Sequence, residues 1–157
     1  MHTARTASED ETARLGERLG AQLRAGDIVL VEGPLGAGKT VLVRGMVRAL
    51  DPAVAELVSS QSYVIVGEYA TRPATVHLDL YRVKTVEEVV ALGWEELLHA
   101  HKIAFVEWPL LLEPLLEPDD PVARIALAPE GEHARRVTMT SSDPRLDAAL
   151  ALAAAGC

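Results

Sequence analysis

The run Gly33-Pro34-Leu35-Gly36-Ala37-Gly38-Lys39-Thr40 matches G-x-x-x-x-G-K-[ST], the loop that cradles phosphates, at every required position. Its glycines let the backbone curl N–H groups around an anion, and the start of the following helix adds partial positive charge. Lys39 is placed to reach the β- and γ-phosphates, and the Thr40 hydroxyl to ligate Mg²⁺. The chemistry implied is binding of a nucleoside triphosphate. Such a site also needs an acid to hold the metal, directly or through water, and two stand out. Glu107 follows the apolar run 103–106, and in an open parallel sheet the carboxyl ends of the strands line the edge where a phosphate loop sits. The structural alternative for Glu107 is a buried pair with an arginine. Asp79 lies in an alternating run that puts His77, Asp79 and Tyr81 on one face and Val76, Leu78 and Leu80 on the other. Periodicity by itself favours a solvated face for that polar trio, whereas the scarcity of other acids at strand ends favours function. Ser60 and Ser62 sit in the loop after the phosphate-loop helix, where a segment sensing the γ-phosphate and ordinary solvation are equally good readings.

The flanking elements suit the motif. Ile28-Val29-Leu30-Val31 is a short apolar run fit for a buried strand, and residues 41–50 carry apolar side chains at helical spacing. Ser8-Glu9-Asp10-Glu11 is a capping box that opens an N-terminal helix with Leu15, Leu19 and Leu23 on one stripe, ended by Ala25-Gly26-Asp27. Asp51-Pro52 stops the phosphate-loop helix. Residues 63–69 and 75–81 alternate and read as a hairpin around Thr71-Arg72-Pro73. Thr85-Val86-Glu87-Glu88 is a second capping box, Gly93 ends its helix, and residues 94–100 form another helical piece. Residues 103–106 form a compact strand cut off by Pro109. Residues 122–128 and 135–140 form a second hairpin, and Asp143 with Pro144 starts a final helix at about 144–155 whose Leu146, Leu150 and Ala153 face inward. The prolines of segment 109–118 forbid a long helix, so it reads as a surface loop with one helical turn. Its leucines pack down in preference to meeting a partner. Trp108, beside Glu107, either walls a site or packs, and packing is the commoner fate. The sum is an α/β chain, one domain over 1–157, with a P-loop NTPase-like three-layer fold: a central, mostly parallel sheet with added antiparallel hairpins.

Composition narrows the partners. With 157 residues, 49% of them hydrophobic, the chain has ample material for a core, which excludes disorder. A formal net charge of −8 argues against strong direct binding of tRNA or other nucleic acid, which calls for a basic face. The one cysteine, Cys157, allows neither an internal disulfide nor a cysteine metal site, and residues 1–6 lead into charges rather than a signal sequence. No apolar run approaches the roughly 20 residues needed to span a bilayer. The expected location is cytoplasmic.

In combination, the phosphate loop, Val58-Ser59-Ser60-Gln61-Ser62-Tyr63, Glu68-Tyr69, His77-Leu78-Asp79-Leu80-Tyr81-Arg82 and Val106-Glu107-Trp108-Pro109 have the order and spacing of the bacterial TsaE (YjeE) family. The chain resembles that family over roughly residues 8–140. The resemblance implies the ATPase component of tRNA threonylcarbamoyladenosine (t6A) biosynthesis, working with TsaB and TsaD toward modification of adenosine 37 in tRNAs reading codons that begin with A. It implies ATP and Mg²⁺ as ligands, with Gly33, Pro34, Leu35, Gly36, Ala37, Gly38, Lys39 and Thr40 on the phosphates and Thr40 and Glu107 on the metal. It makes Asp79 the carboxylate required for hydrolysis, places Asp10 and Thr12 near the nucleotide, and matches the basic stretch 133–136, with His133, to a region bearing a nucleotide contact. The chain departs from the family pattern at Pro34 (usually Asp), at Ser60-Gln61-Ser62 (usually Ser-Pro-Thr) and at Val41 (usually Thr or Ser). Ser62 keeps a hydroxyl for a switch role, while Gln61 removes a fixed φ from that loop.

Two other classes share the phosphate loop. A nucleotide-dependent binding module would use ATP only to set affinity for a partner. A small-molecule kinase would also need an arginine-rich lid, for which the chain offers only the scattered Arg124, Arg135 and Arg136. An arginine completing the hydrolytic site would be Arg72, Arg82 or a partner's side chain, which predicts slow hydrolysis by the chain alone.

Overall fold

The chain's short polar caps do much to set where its helices begin. In this computed structural model, which describes residues 1–59, 65–99 and 101–156, the Ser8 hydroxyl accepts the Glu11 N–H at 3.2 Å and opens α1 (Glu9–Gly20). Glu11 reaches back to the Ala7 N–H at 2.7 Å. Thr85 caps α4 (Val86–Ala91) in the same way, and Asp143 caps α6 (Pro144–Ala155) through the Leu146 N–H. Helix α1 stops at Gly20 rather than running to residue 25, because the chain turns early and the Asp27 carboxylate ties the turn by accepting the Arg24 N–H at 2.7 Å. After α2 (Lys39–Leu50), Asp51 caps a one-turn helix, α3 (Pro52–Ala55), where the sequence suggested only loop.

Among the described residues the sheet has seven strands in the order β1-β7-β6-β2-β5-β4-β3. They span His2–Thr6, Ile28–Glu32, Val66–Tyr69, Thr75–Asp79, Ile103–Glu107, Val122–Pro129 and Arg135–Ser141, numbered β1 to β7 in chain order. β6, β2, β5 and β4 run parallel and form the centre, while β3 pairs antiparallel to β4, and β7 to β6. These are the two hairpins read from alternation; residues 63 and 64 of the first lie outside the described residues. β1 was not expected. His2-Thr3-Ala4-Arg5-Thr6 carries no apolar alternation, yet it pairs antiparallel with β7 and buries Ala4 and Thr6.

The pleat divides the apolar side chains between two cores, because successive residues of a strand point to opposite faces. Val29, Val31, Phe105 and Ile125 join Leu15 and Leu19 of α1, Leu42 and Met46 of α2 and Leu146 and Leu150 of α6. Ile28, Leu30, Ala104 and Val106 join Val89 of α4 with Trp94 and Leu98 of α5 (Trp94–His99). The layers are therefore three. Segment 109–118 folds as two short 3₁₀ turns, Pro109–Leu111 and Glu113–Leu115, rather than one helical turn. Leu112 is fully buried in the second core while Leu110 is 80% exposed, so the packing expectation holds for most of the segment but not for Leu110.

Helices α1 and α2 touch backbone to backbone. A Cβ on Gly45 would stand 2.2 Å from the Ala13 carbonyl oxygen, so this crossing admits only glycine there. The contact brings the first turn of α1 beside the phosphate loop. Among the described residues no helix is long and apolar enough to cross a membrane.

Candidate functional site

The phosphate loop leaves the carboxyl end of β2 and turns into α2 at Gly38, which serves as N-cap in the left-handed region with φ +96°. A side chain is strained in that conformation, so the motif's glycine is a steric requirement. Lys39 is buried at 5% exposure, and its Nζ donates to the Gly33 and Pro34 carbonyls at 2.8 and 2.9 Å. The same ammonium lies 4.0 Å from the centroid of the Trp108 ring. Burial holds its pKa below the ordinary 10.5, with the negative charges of Glu107 and Asp79 pulling the other way.

Parallel pairing of β4, β5 and β2 puts the acids beside the loop. Asp79 is opposite Glu107, and Glu107 is opposite Val31, so both acids stand at the carboxyl edge on the α2 side of the sheet. The Thr40 hydroxyl donates to Glu107 Oε1 at 2.9 Å, and His77 Nε2 lies 2.9 Å from the same oxygen. Glu107 is thus buried, as one reading allowed, but held by a histidine and a threonine instead of an arginine. The solvated-face expectation for His77 and Asp79 fails: His77 is 2% exposed and Thr75 fully buried, because this face of β4 continues the face of β5 that packs on α2. Asp79 is half-buried, and its carboxylate accepts the Tyr81 N–H at 3.1 Å. Burial raises its pKa above the ordinary 3.8 and Glu107 adds to the rise, while the Tyr81 N–H, His77 and Lys39 oppose it.

Trp108 walls the site. Its backbone is left-handed, with φ +58°, a strain of roughly 1–2 kcal/mol for a residue with a side chain. The ring lies against Lys39 and 5.0 Å from the Tyr81 ring. A cavity of ≈ 320 Å³ opens between Gly36, Gly38, Lys39, Thr40, Asp79, Glu107, Tyr81 and Trp108, with Glu9 of α1 at its rim.

The remaining candidates are placed unevenly. Asp10 is exposed on the first turn of α1, where its neighbour Glu9 lines the cavity. Thr12 packs a methyl near Gly38, while its hydroxyl engages Thr6 Oγ1 at 2.8 Å and the Ser8 carbonyl at 3.1 Å. His133 is exposed in the β6–β7 loop, 3.9 Å from Glu132. Two residues on, Arg135 reaches the phosphate loop itself, donating from Nε to the Ala37 carbonyl at 2.9 Å and from Nη2 to that of Gly36 at 3.3 Å. Arg72 precedes β4, at the sheet edge opposite the phosphate loop, so it cannot serve the site from there; Arg82 follows β4 on the loop's side. Ser60 and Ser62 lie outside the described residues. Sequence reasoning missed His77 and Arg135 as site residues; His77 was marked by its place in a polar alternation read as solvated and in the segment 77–82 of the family resemblance, Arg135 by lying in a basic stretch.

The model of the family "Threonylcarbamoyl adenosine biosynthesis protein TsaE" matches residues 6–137. The chain belongs to the TsaE family. It is 31% identical over 144 residues to the TsaE protein of Bacillus subtilis, covering 91% of this chain and 87% of that one. The Rickettsia conorii TsaE protein is 36% identical over 118 residues, 75% of this chain. The chain spans 66% of the length of that relative and of the Mycobacterium leprae one. The crystal structure of Bacillus subtilis YdiB superposes with a TM-score of 0.77 at 25% identity, covering 98% of this chain and 94% of that one. The TsaE family, the three-layer fold and the part-buried Thr40–Glu107 contact thus come together in one chain.

Proposed function

We propose that this protein is a Mg²⁺-dependent ATPase that serves t6A formation on tRNA in the cytoplasm, together with TsaB and TsaD. The observation that carries the reading is the Thr40 hydroxyl committed to Glu107 Oε1 at the mouth of the phosphate loop. By giving its proton to the carboxylate, Thr40 keeps its oxygen lone pairs free for a cation. A hydroxyl and a carboxylate are hard oxygen donors of the kind Mg²⁺ prefers, and Mg²⁺ typically takes only one or two protein ligands, with phosphates and water completing its shell. Thr40 and Glu107 would hold the ion, and Mg²⁺ when bound neutralises charge on the β- and γ-oxygens.

The chain's own residues do the rest. The loop N–H groups and the N-terminus of α2 would bind the phosphates of ATP, and Lys39 would turn from the Gly33 and Pro34 carbonyls to the β/γ oxygens. Asp79 would accept a hydrogen bond from the attacking water and aim it at the γ-phosphorus. A P–O bond to that water forms as the β–γ bridge breaks, and the water's proton ends on phosphate, giving ADP and inorganic phosphate. Trp108 and Tyr81 would limit bulk water on one side of the cavity. With an acidic surface, the subunit would act by changing a partner's state rather than by gripping tRNA.

The test is ATP hydrolysis with Mg²⁺ by the purified chain, alone and with TsaB plus TsaD, beside Lys39→Ala and Glu107→Ala. Partner-stimulated turnover that both substitutions abolish is expected. ATP binding without turnover in either condition would leave a nucleotide-dependent binding module.

A further inference from the structure

We infer that His77 is the positioning residue for Glu107: it fixes the carboxylate that Thr40 meets, and so sets metal affinity without touching nucleotide or metal. The inference rests on Thr40 and Glu107 being the Mg²⁺ partners proposed above. The placement follows from the sheet. His77 pairs with Phe105 and Asp79 with Glu107, so His77 stands on the same face as Glu107 and two residues before its strand neighbour, within reach along the pleat. Nε2 meets Oε1 at 2.9 Å, with both side chains 2–3% exposed.

A glutamate has three side-chain torsions and swings freely unless held. Here the hold comes from two elements at once, His77 from the sheet and Thr40 from α2, both on Oε1. Among the described residues these are the hydrogen-bond donors to the Glu107 carboxylate, and no arginine or lysine lies within ion-pair distance of it. When Thr40 shares its oxygen with a cation, the histidine remains as the fixed tie. An ionised carboxylate only accepts hydrogen bonds, so the bond requires the proton on Nε2. Metal ligands are commonly aimed by such outer hydrogen bonds, and losing one typically costs 10–100-fold in metal affinity or activity. An imidazole buried beside Phe105 is otherwise a poor choice for a core position, where an aliphatic side chain would pack without a polar nitrogen to satisfy.

The experiment compares His77→Gln with His77→Asn. Glutamine sets its amide nitrogen about where Nε2 stands, whereas asparagine is one methylene short; both are neutral, polar and equally able to leave the fold intact. Mn²⁺, a paramagnetic stand-in for Mg²⁺, is titrated by electron paramagnetic resonance into the chain with a non-hydrolysable ATP analogue, and analogue affinity is measured separately in EDTA. His77→Asn should weaken Mn²⁺ binding by about 10–100-fold, with EDTA affinity within about twofold of the parent, and His77→Gln should restore most of the loss. Parent-like Mn²⁺ binding by His77→Asn would overturn the inference. So would equal losses in Mn²⁺ and in EDTA, which would mark a merely structural histidine. Absence of Mn²⁺ binding in the parent chain itself would instead overturn the Mg²⁺ reading on which this one rests.

Discussion

Two buried carboxylates stand at opposite ends of this sheet and are served in opposite ways. Asp27, 1% exposed, sits just before β2 and pairs with Arg145 of α6 while accepting the Arg24 N–H. Glu107, 2% exposed, ends β5 and is met by a threonine hydroxyl and an imidazole. The guanidinium neutralises Asp27 and ties α6 to the sheet. The donors on Glu107, neither of them an arginine or lysine, orient it beside the phosphate loop. Burial alone therefore does not mark a functional acid; the kind of partner does.

The largest effect should come from separating these roles. Glu107→Gln, which keeps an acceptor for Thr40 and His77 but removes the charge, should lower Mg²⁺-dependent hydrolysis by at least about 100-fold, close to 3 kcal/mol in the barrier, while thermal unfolding barely moves. Asp27→Ala should do the reverse. It strands the partly exposed Arg145, so roughly 2 kcal/mol of stability should go, with turnover per folded molecule unchanged. Steady-state kinetics beside thermal melts decide it, and a catalytic loss in Asp27→Ala would erase the contrast.

Next in size is the crossing that carries α1 to the site. Gly45→Ala would drive a methyl into the Ala13 carbonyl, separating α1 from α2 at a cost of about 1–3 kcal/mol. Since α1 brings Glu9 to the cavity rim, nucleotide affinity by calorimetry should fall along with the melting temperature. An unchanged affinity in a destabilised variant would show that α1 supports the sheet and not the site.

What was readable in the sequence depended on range. The phosphate loop, the caps at Ser8, Thr85 and Asp143 and both hairpins are local signals, written within a few residues of where they act. β1 was not readable: its polar HTART run becomes a strand only because β7 supplies its hydrogen bonds from more than 120 residues away. The roles of Gly45, His77 and Arg135 were hidden for the same reason, since each depends on an atom of a distant segment. At Glu107 the sequence placed the acid at the right edge, but only strand register revealed that a histidine rather than an arginine holds it. Arg135 is a case to test. Its guanidinium grips the Ala37 and Gly36 carbonyls and so ties the phosphate loop to β7. Arg135→Ala should weaken ATP affinity about three- to tenfold, on the order of 1 kcal/mol. His133→Ala, exposed and outside the cavity lining, should be neutral; equal effects from the two would return the nucleotide contact to the hairpin loop.

The smallest effect lies in pH. Burial first, and then the charge of Glu107, raise the pKa of Asp79 above its ordinary 3.8 despite the pull of the Tyr81 N–H, His77 and Lys39. The native chain therefore holds this proton more tightly than the unfolded chain. Between 3.8 and the raised native value the native state binds more protons, so stability falls as pH rises through that window and stays lower above it. Asp79→Asn removes the titration. At neutral pH the variant should melt about 1–2 °C higher than the parent, a few tenths of a kcal/mol for a chain of this size, while losing hydrolysis. As the pH drops below about 4 the two melting curves should converge, because both side chains are then neutral. A gap that persists into acid would assign the difference to packing. Convergence would set Asp79 apart from Asp27, whose side chain ties Arg145 of α6 and the Arg24 N–H, so that Asp27→Ala loses stability at neutral pH where Asp79→Asn gains it.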